Sequence, residues 1–144
     1  MTMKCFQCDK GRMANKVVAM AARLRGEDVP VRTDAMVCNR CGFQAMTDEQ
    51  SDAYAIASAD AYREKHSLLT TKELKEIRKR LSFRAFAAYL KVGEASPKRW
   101  EAGLVQDAAM DELIRVKTDL PTTRKNVRRL EAYSSPPSAA PVHS

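Results

Sequence analysis

Cys5-Phe6-Gln7-Cys8 and, 29 residues further on, Cys38-Asn39-Arg40-Cys41 contain all four cysteines of a 144-residue chain. A Cys-x-x-Cys turn lets two thiolates converge on one ion, and two such turns supply the four soft ligands of a tetrahedral Zn²⁺ site. Cys5, Cys8, Cys38 and Cys41 are therefore read as ligands of one structural zinc ion, because a closed four-sulfur site leaves no coordination position for water or substrate. The alternatives are an iron ion on the same ligands, a thiol–disulfide switch, or four free thiols. A redox pair would ordinarily sit beside a βαβ pattern, which the sequence lacks. Gly11 and Gly42 follow the two pairs and help the turns close.

Between the pairs, Val17, Val18, Met20 and Leu24 precede the turn-like Arg25-Gly26-Glu27-Asp28, and Val29, Val31, Met36 and Val37 follow. This predicts a short, irregular β-hairpin, with helix as a competitor for the first half because Ala19, Ala21 and Ala22 interrupt it. A module of about 46 residues buries too little surface to be secure without a metal or a disulfide.

The chain carries 25 Lys and Arg against 18 Asp and Glu, a formal charge of +7, with a pI near 9.4. That balance favours an anionic partner such as nucleic acid. No run approaches the roughly 18 apolar residues of a membrane span, and residues 1–10 lack the apolar core of a secretory signal. An intracellular, cytoplasmic protein with reduced thiols and no membrane partner is expected. Charge is unevenly distributed: eight basic and four acidic residues in 1–46, three and six in 47–73, fourteen and eight in 74–133.

Thr47-Asp48-Glu49-Gln50 is a capping box, and a helix to about His66 should follow, with Ala53, Ile56, Ala57 and Ala61 on one side. Its acidic character suggests a solvated connector that spaces two basic halves. Thr70-Thr71-Lys72-Glu73 is a second capping box, after which Leu74, Ile77 and Leu81 keep helical spacing. Ser82 can cap the next helix, with Phe83, Phe86, Ala87 and Leu90 inward. Val92-Gly93 interrupts, and a third helix is expected from Glu94 to about Ala102, stopped by Gly103. Further helices are predicted at 107–118 and, after Pro121, at 122–132. Two helices joined by a tight Gly-containing turn are the signature of a helix-turn-helix, whose second helix enters the major groove.

Ser82-Phe83-Arg84-Ala85-Phe86-Ala87 through Val92-Gly93-Glu94-Ala95-Ser96-Pro97-Lys98-Arg99-Trp100-Glu101-Ala102-Gly103 resembles the helix-turn-helix of λ-repressor-like (Xre-type) regulators, above all in Arg99-Trp100-Glu101-x-Gly103. Preceded by two Cys-x-x-Cys pairs, residues 1 to about 133 resemble the YgiT/MqsA family of zinc-finger antitoxins. The resemblance implies an α+β protein: a small Cys₄ zinc module with a β-hairpin, then an all-α, five-helix λ-repressor-like domain. It implies a toxin, often a ribonuclease, as partner of the zinc module. It also implies a homodimeric C-terminal domain that represses its own operon at a palindromic operator on double-stranded DNA. The family register puts Gly93 at the cap of the recognition helix and Glu94, Ala95, Ser96 and Arg99 toward the groove, with Lys98 near the backbone.

Arg99 can bind guanine O6 and N7 bidentately. Arg84 and Ser82, at the start of the preceding helix, suit phosphate contacts. Trp100 reads as a core anchor. Where the reference antitoxin has Asn and then Ala-Phe before its base-reading arginine, this chain has Ala95-Ser96-Pro97, so its operator cannot be carried over. Pro97 fits a regular helix start if Ser96 caps and Pro97 is the first helical residue. The expected organisation is a zinc-binding module over 1–46, a helical connector over 47–69, a DNA-binding domain over 70–133 and a Pro/Ser/Ala-rich disordered tail over 134–144. A stand-alone phage- or plasmid-type regulator is the alternative function. Enzymatic activity is not expected, because no His/Asp/Glu set accompanies the cysteines.

Overall fold

A computed structural model describes residues 3–79 and 81–119. Its order is β1 (Met3–Lys4), β2 (Arg12–Leu24), β3 (Glu27–Cys38), β4 (Gln44–Ala45), α1 (Asp48–Lys65), α2 (Thr71–Arg78), α3 (Phe83–Leu90), α4 (Ser96–Glu101) and α5 (Ala108–Thr118). This is an α+β fold with one antiparallel sheet in the order β1-β2-β3-β4. The helix expected at 122–132 and the tail at 134–144 lie outside the described residues.

The hairpin is longer and more regular than its sequence suggests. β2 and β3 pair continuously from Met13↔Cys38 to Leu24↔Glu27. Arg25 and Gly26 form a two-residue loop with φ of 50° and 84°, the left-handed pair that matches the twist of a tight hairpin. The helical alternative for the first half fails for a non-local reason. Val29, Val31, Thr33 and Ala35 alternate inward along β3 and are buried, and β2 supplies the strand that pairs with them. Ala22, Val29 and Val31 pack with Tyr54, Ala57, Ala61 and Tyr62 of α1.

Both capping boxes form: Thr47 with Gln50 and Thr70 with Glu73 exchange side-chain and backbone hydrogen bonds. Ser82 caps α3 through the Ala85 N–H at 3.0 Å. Leu69, Leu74, Phe86, Leu90, Trp100 and Ile114 make the helical core. Leu81, expected to continue the buried stripe from Leu74 and Ile77, is 42% exposed because α2 ends at Arg78.

The expected solvated connector is instead a buried wedge. One side of α1 meets the sheet; from the other, Arg63 enters the helical core with 0% exposure. All five of its N–H donors are used. Nε donates to Gln106 Oε1 (3.0 Å), Nη1 to Asp60 Oδ1 and Thr71 Oγ1 (2.9 Å each), and Nη2 to the carbonyls of Trp100 (2.8 Å) and Leu104 (3.0 Å). Gln106 passes the network to Leu69 O and Asp111 Oδ1, and Arg115 closes it on Asp111 Oδ2 at 2.7 Å. At the hairpin tip, Arg25 donates to Val105 O at 2.6 Å. Gly103, the expected helix stop, has φ +112°, and a Cβ there would lie 2.8 Å from Ala55 O of α1.

Arg63→Met should therefore lose about 3–5 kcal/mol of unfolding free energy, since it leaves Asp60, Gln106 and two carbonyls without their donor. Gly103→Ala should cost at least about 1–3 kcal/mol through the strained φ and the contact with Ala55. Urea denaturation followed by circular dichroism measures both. A loss under about 1 kcal/mol for Arg63→Met would mean that the wedge is not held in this way.

Candidate metal centre and nucleic-acid interface

The open end of the β2–β3 ladder, where β2 begins and β3 ends, brings the cysteines together. Cys5 lies just past β1, Cys8 in the turn before β2, and Cys38 ends β3, with Cys41 in the following turn. Their four Sγ atoms lie within 4.8 Å of one another. Cys5 Sγ is 3.7 Å from Cys41 Sγ, and Cys8 Sγ is 3.7 Å from Cys38 Sγ. Sulfurs about 2.3 Å from a tetrahedral ion stand about 3.8 Å apart, whereas bonded sulfurs stand about 2.05 Å apart. The spacing is that of ligands, and the four cysteines can hold one metal ion.

The surrounding backbone is arranged for thiolates. Gly11 N–H donates to Cys8 Sγ at 3.4 Å, and the N–H groups of Arg40 and Cys41 donate to Cys38 Sγ at 3.3 Å. A Cβ on Gly11 would lie 2.3 Å from Cys38 Sγ, so close packing of the two turns requires glycine. Amide donation from Lys10 and Gly11 lowers the Cys8 pKa. Donation from Cys41 and Arg40 outweighs burial at Cys38 and brings it to about 6. At Cys41 the Phe43 N–H favours the thiolate, but burial and the neighbouring sulfurs of Cys38, Cys8 and Cys5 push it up to about 12. Adjacent thiolates disfavour one another, and a divalent cation removes that conflict.

Behind the sulfurs, Cys5, Met13 and Cys38 form a small core with Cys8, Met36, Phe43 and Ala45. It lies at the opposite end of the hairpin from the tip. Cys38 N–H donates to Phe43 O at 2.8 Å, and Asn39 Oδ1 accepts from Arg12 N–H at 3.0 Å.

The residues read as DNA contacts cluster around α3 and α4. α4 begins two residues later than its sequence suggests: Ala95 is the N-cap, with no side-chain cap bond, and Pro97 falls within the first turn. Glu94 and Ala95 are thus exposed in the connection from α3. Gly93 is not the cap, nor is Ser96, which is half-buried. Pro97, Trp100 and Glu101 are buried, an i, i+3, i+4 face that turns Lys98 and Arg99 outward. Trp100 is a core residue at 6% exposure, as its position in the pattern suggests.

Glu101 takes a bidentate bond from Arg78, Nε at 2.6 Å and Nη2 at 2.9 Å. That pair fastens α4 to α2, and the Arg78 guanidinium also lies over Phe83 at 4.1 Å. Ser82 is occupied in capping α3, though exposed. Arg84 and Glu94 face each other at 3.7 Å on the surface. Sequence reasoning missed Arg63, Gln106 and the Arg78–Glu101 pair. Only the last left a local signal, in the 97, 100, 101 spacing.

No protein-family model matches this chain, and no curated protein matches it. Among the described residues, no helix is long and apolar enough to cross a membrane.

Native protein is expected to carry one metal ion per chain, with four thiols masked until a chelator is added. Elemental analysis combined with thiol titration measures this. Protons compete with the metal for thiolate, so retention should weaken as pH falls. Four freely reactive thiols in metal-free native protein would remove the centre.

Proposed function

We propose that the protein is a DNA-binding autorepressor and antitoxin: a structural zinc ion holds the sheet as a module for a toxin partner, and α4 reads an operator. The observation that carries the DNA reading is the division of α4 into a locked side and a free side. Pro97, Trp100 and Glu101 fix the helix to the core, leaving Lys98 and Arg99 exposed. A helix held this firmly from behind presents its outward side chains with little freedom to lose on binding.

In this reading Arg99 contacts guanine and Lys98 and Arg84 contact phosphate, with Ser82 setting the first turn of α3 against the backbone. The Arg84–Glu94 pair is exposed on both sides, so Arg84 can exchange the carboxylate for phosphate at small cost. Glu94, Ala95 and Ser96 then lie at the groove edge, before and at the start of α4. A homodimer on a palindromic operator follows from the same reading, as two-fold protein symmetry matches two half-sites. Zinc is the favoured ion, because four thiolates in a closed tetrahedron suit a structural Zn²⁺.

The test uses full-length protein and a duplex from the region upstream of its own gene. Arg99→Ala should lose roughly 1–3 kcal/mol of discrimination against scrambled duplex. Lys98→Ala should weaken all duplexes alike and reduce the salt slope by about 1. Metal content should be unchanged in both. Equal specific binding by Arg99→Ala, measured by mobility shift, would remove α4 as the reading element. Co-purification of a small protein encoded beside the gene tests the antitoxin part, and its absence would favour a stand-alone regulator.

A further inference from the structure

The metal end of the sheet carries a feature that neither the metal nor α4 uses. Phe6, between the first two cysteines, is 75% exposed, the most exposed large apolar side chain among the described residues. Its ring is held edge-on by Phe43, with centroids 5.4 Å apart and planes at 70°. Neighbouring positions are cationic. Lys10 and Arg12 follow the first turn, and Arg40 lies in the second; all three are exposed. Gly11 joins the two turns, since a Cβ there would lie 2.8 Å from Arg40 Cβ. Lys4 is opposite Arg12 in the ladder and pairs with Asp9 at 3.1 Å. Among the described residues no carboxylate pairs with Lys10, Arg12 or Arg40.

We propose that the metal end of the sheet is a binding site for single-stranded nucleic acid, in which a base stacks on Phe6 and phosphates lie against Lys10, Arg12 and Arg40. Within residues 3–12 and 38–43, four cations against one carboxylate leave the two turns net positive even beside the −2 charge of a divalent ion on four thiolates. An aromatic face flanked by unpaired cations is the combination that binds single strands without strong sequence preference, and small zinc modules use it on unpaired bases. A protein partner is the weaker fit for Phe6. Protein hot spots sit in contiguous apolar patches that exclude water, whereas the apolar groups near Phe6 are the half-buried Phe43 that its ring meets and Met3, 53% exposed, set among the exposed polar residues Lys4, Gln7, Asp9 and Lys10. Duplex is disfavoured because its bases are already stacked and offer no free face to the ring.

The site rests on the metal-held fold but not on the duplex reading of α4, and the test separates them. Metal-loaded full-length protein is titrated into labelled ten-nucleotide RNA and DNA of one mixed sequence, and into the matching DNA duplex, with anisotropy as readout. Wild type should bind one or both single strands with an affinity that falls as salt rises, by about 0.7 in logarithmic slope for each phosphate contact. The two arms identify which sugar is accepted. Phe6→Ala should bind about tenfold more weakly, Phe6→Trp should restore binding and show fluorescence quenching on titration, and Arg40→Gln should lower the salt slope. Arg99→Ala should leave single-strand binding unchanged. One metal per chain in every variant shows that the turns are intact. Three results would overturn the proposal: no single-strand binding by wild type, equal binding by wild type and Phe6→Ala, or a co-purifying protein lost in Phe6→Ala while oligonucleotide binding persists.

Discussion

Removing a guanidinium from water is costly unless each of its donors finds an acceptor, and Arg63 finds five. The acceptors come from α1, from the start of α2, from the end of α4 and from the loop after it. None of them can move far without leaving a buried charge short of a partner. The network therefore fixes arrangement as well as stability, because an apolar side chain of similar volume would leave Asp60, Gln106 and two carbonyls without their donor and would no longer specify where the carbonyls of Trp100 and Leu104 must lie. Asp60 extends the same restraint, accepting from the Thr71 N–H at 2.8 Å and its hydroxyl at 3.0 Å. The first turn of α2 is thereby tied to the last turns of α1.

The cysteine cluster applies a second restraint at the far end of the hairpin, and the two are complementary. Around the sulfurs the apolar core is small, so the sheet end depends on the ligand set to hold its turns. At the tip end, burial by α1 and the Arg25–Val105 bond do that work without a metal. Side-chain alternation along β3 links them: Val29 and Val31 pack on α1, with Thr33 and Ala35 buried at the same parity, while Cys38 falls on the opposite parity with its partner Met13. One strand thus buries odd positions on one face and presents its terminal even position to the metal.

This division explains what could be read from the chain alone. The Cys-x-x-Cys spacing, the two capping boxes, the Ser82 cap, the Gly103 stop and the burial of Trp100 are local signals, set by a few consecutive residues, and they carried through. The length of the hairpin did not, because alanines that favour helix in isolation are held extended by pairing with strand residues seven to thirteen positions away. The role of α1 did not either. A helix packed on two sides shows no single apolar stripe, so Ala57 and Ala61 toward the sheet and Ala59 and Arg63 toward the helices together looked like a solvated spacer. Nothing near Arg63 in sequence marks it as buried, since its acceptors include Gln106, 43 residues away. The start of α4 was misplaced for a different reason: the Gly93 signal was real as a break, but Pro97 tolerates any place in a first helical turn and could not fix the boundary.

The consequence for function lies in the loop from Gly103 to Gln106. It follows α4 directly, and it is gripped from two directions: by Arg63 and Ala55 of α1, and by Arg25 at the tip of the hairpin. The helix that presents Lys98 and Arg99 is thus oriented by the sheet module as well as by its own core. A spacer would leave the two halves free to turn relative to each other. A wedge fixed by a fully satisfied buried charge instead sets the sheet, and whatever it carries, at one angle to α4. Three hydrogen bonds, from Arg25 to Val105 O and from Arg63 to Leu104 O and Gln106 Oε1, together with the close approach of Gly103 to Ala55, join the loop behind α4 to the hairpin tip and to α1, so in a packed interior none of the three can shift alone.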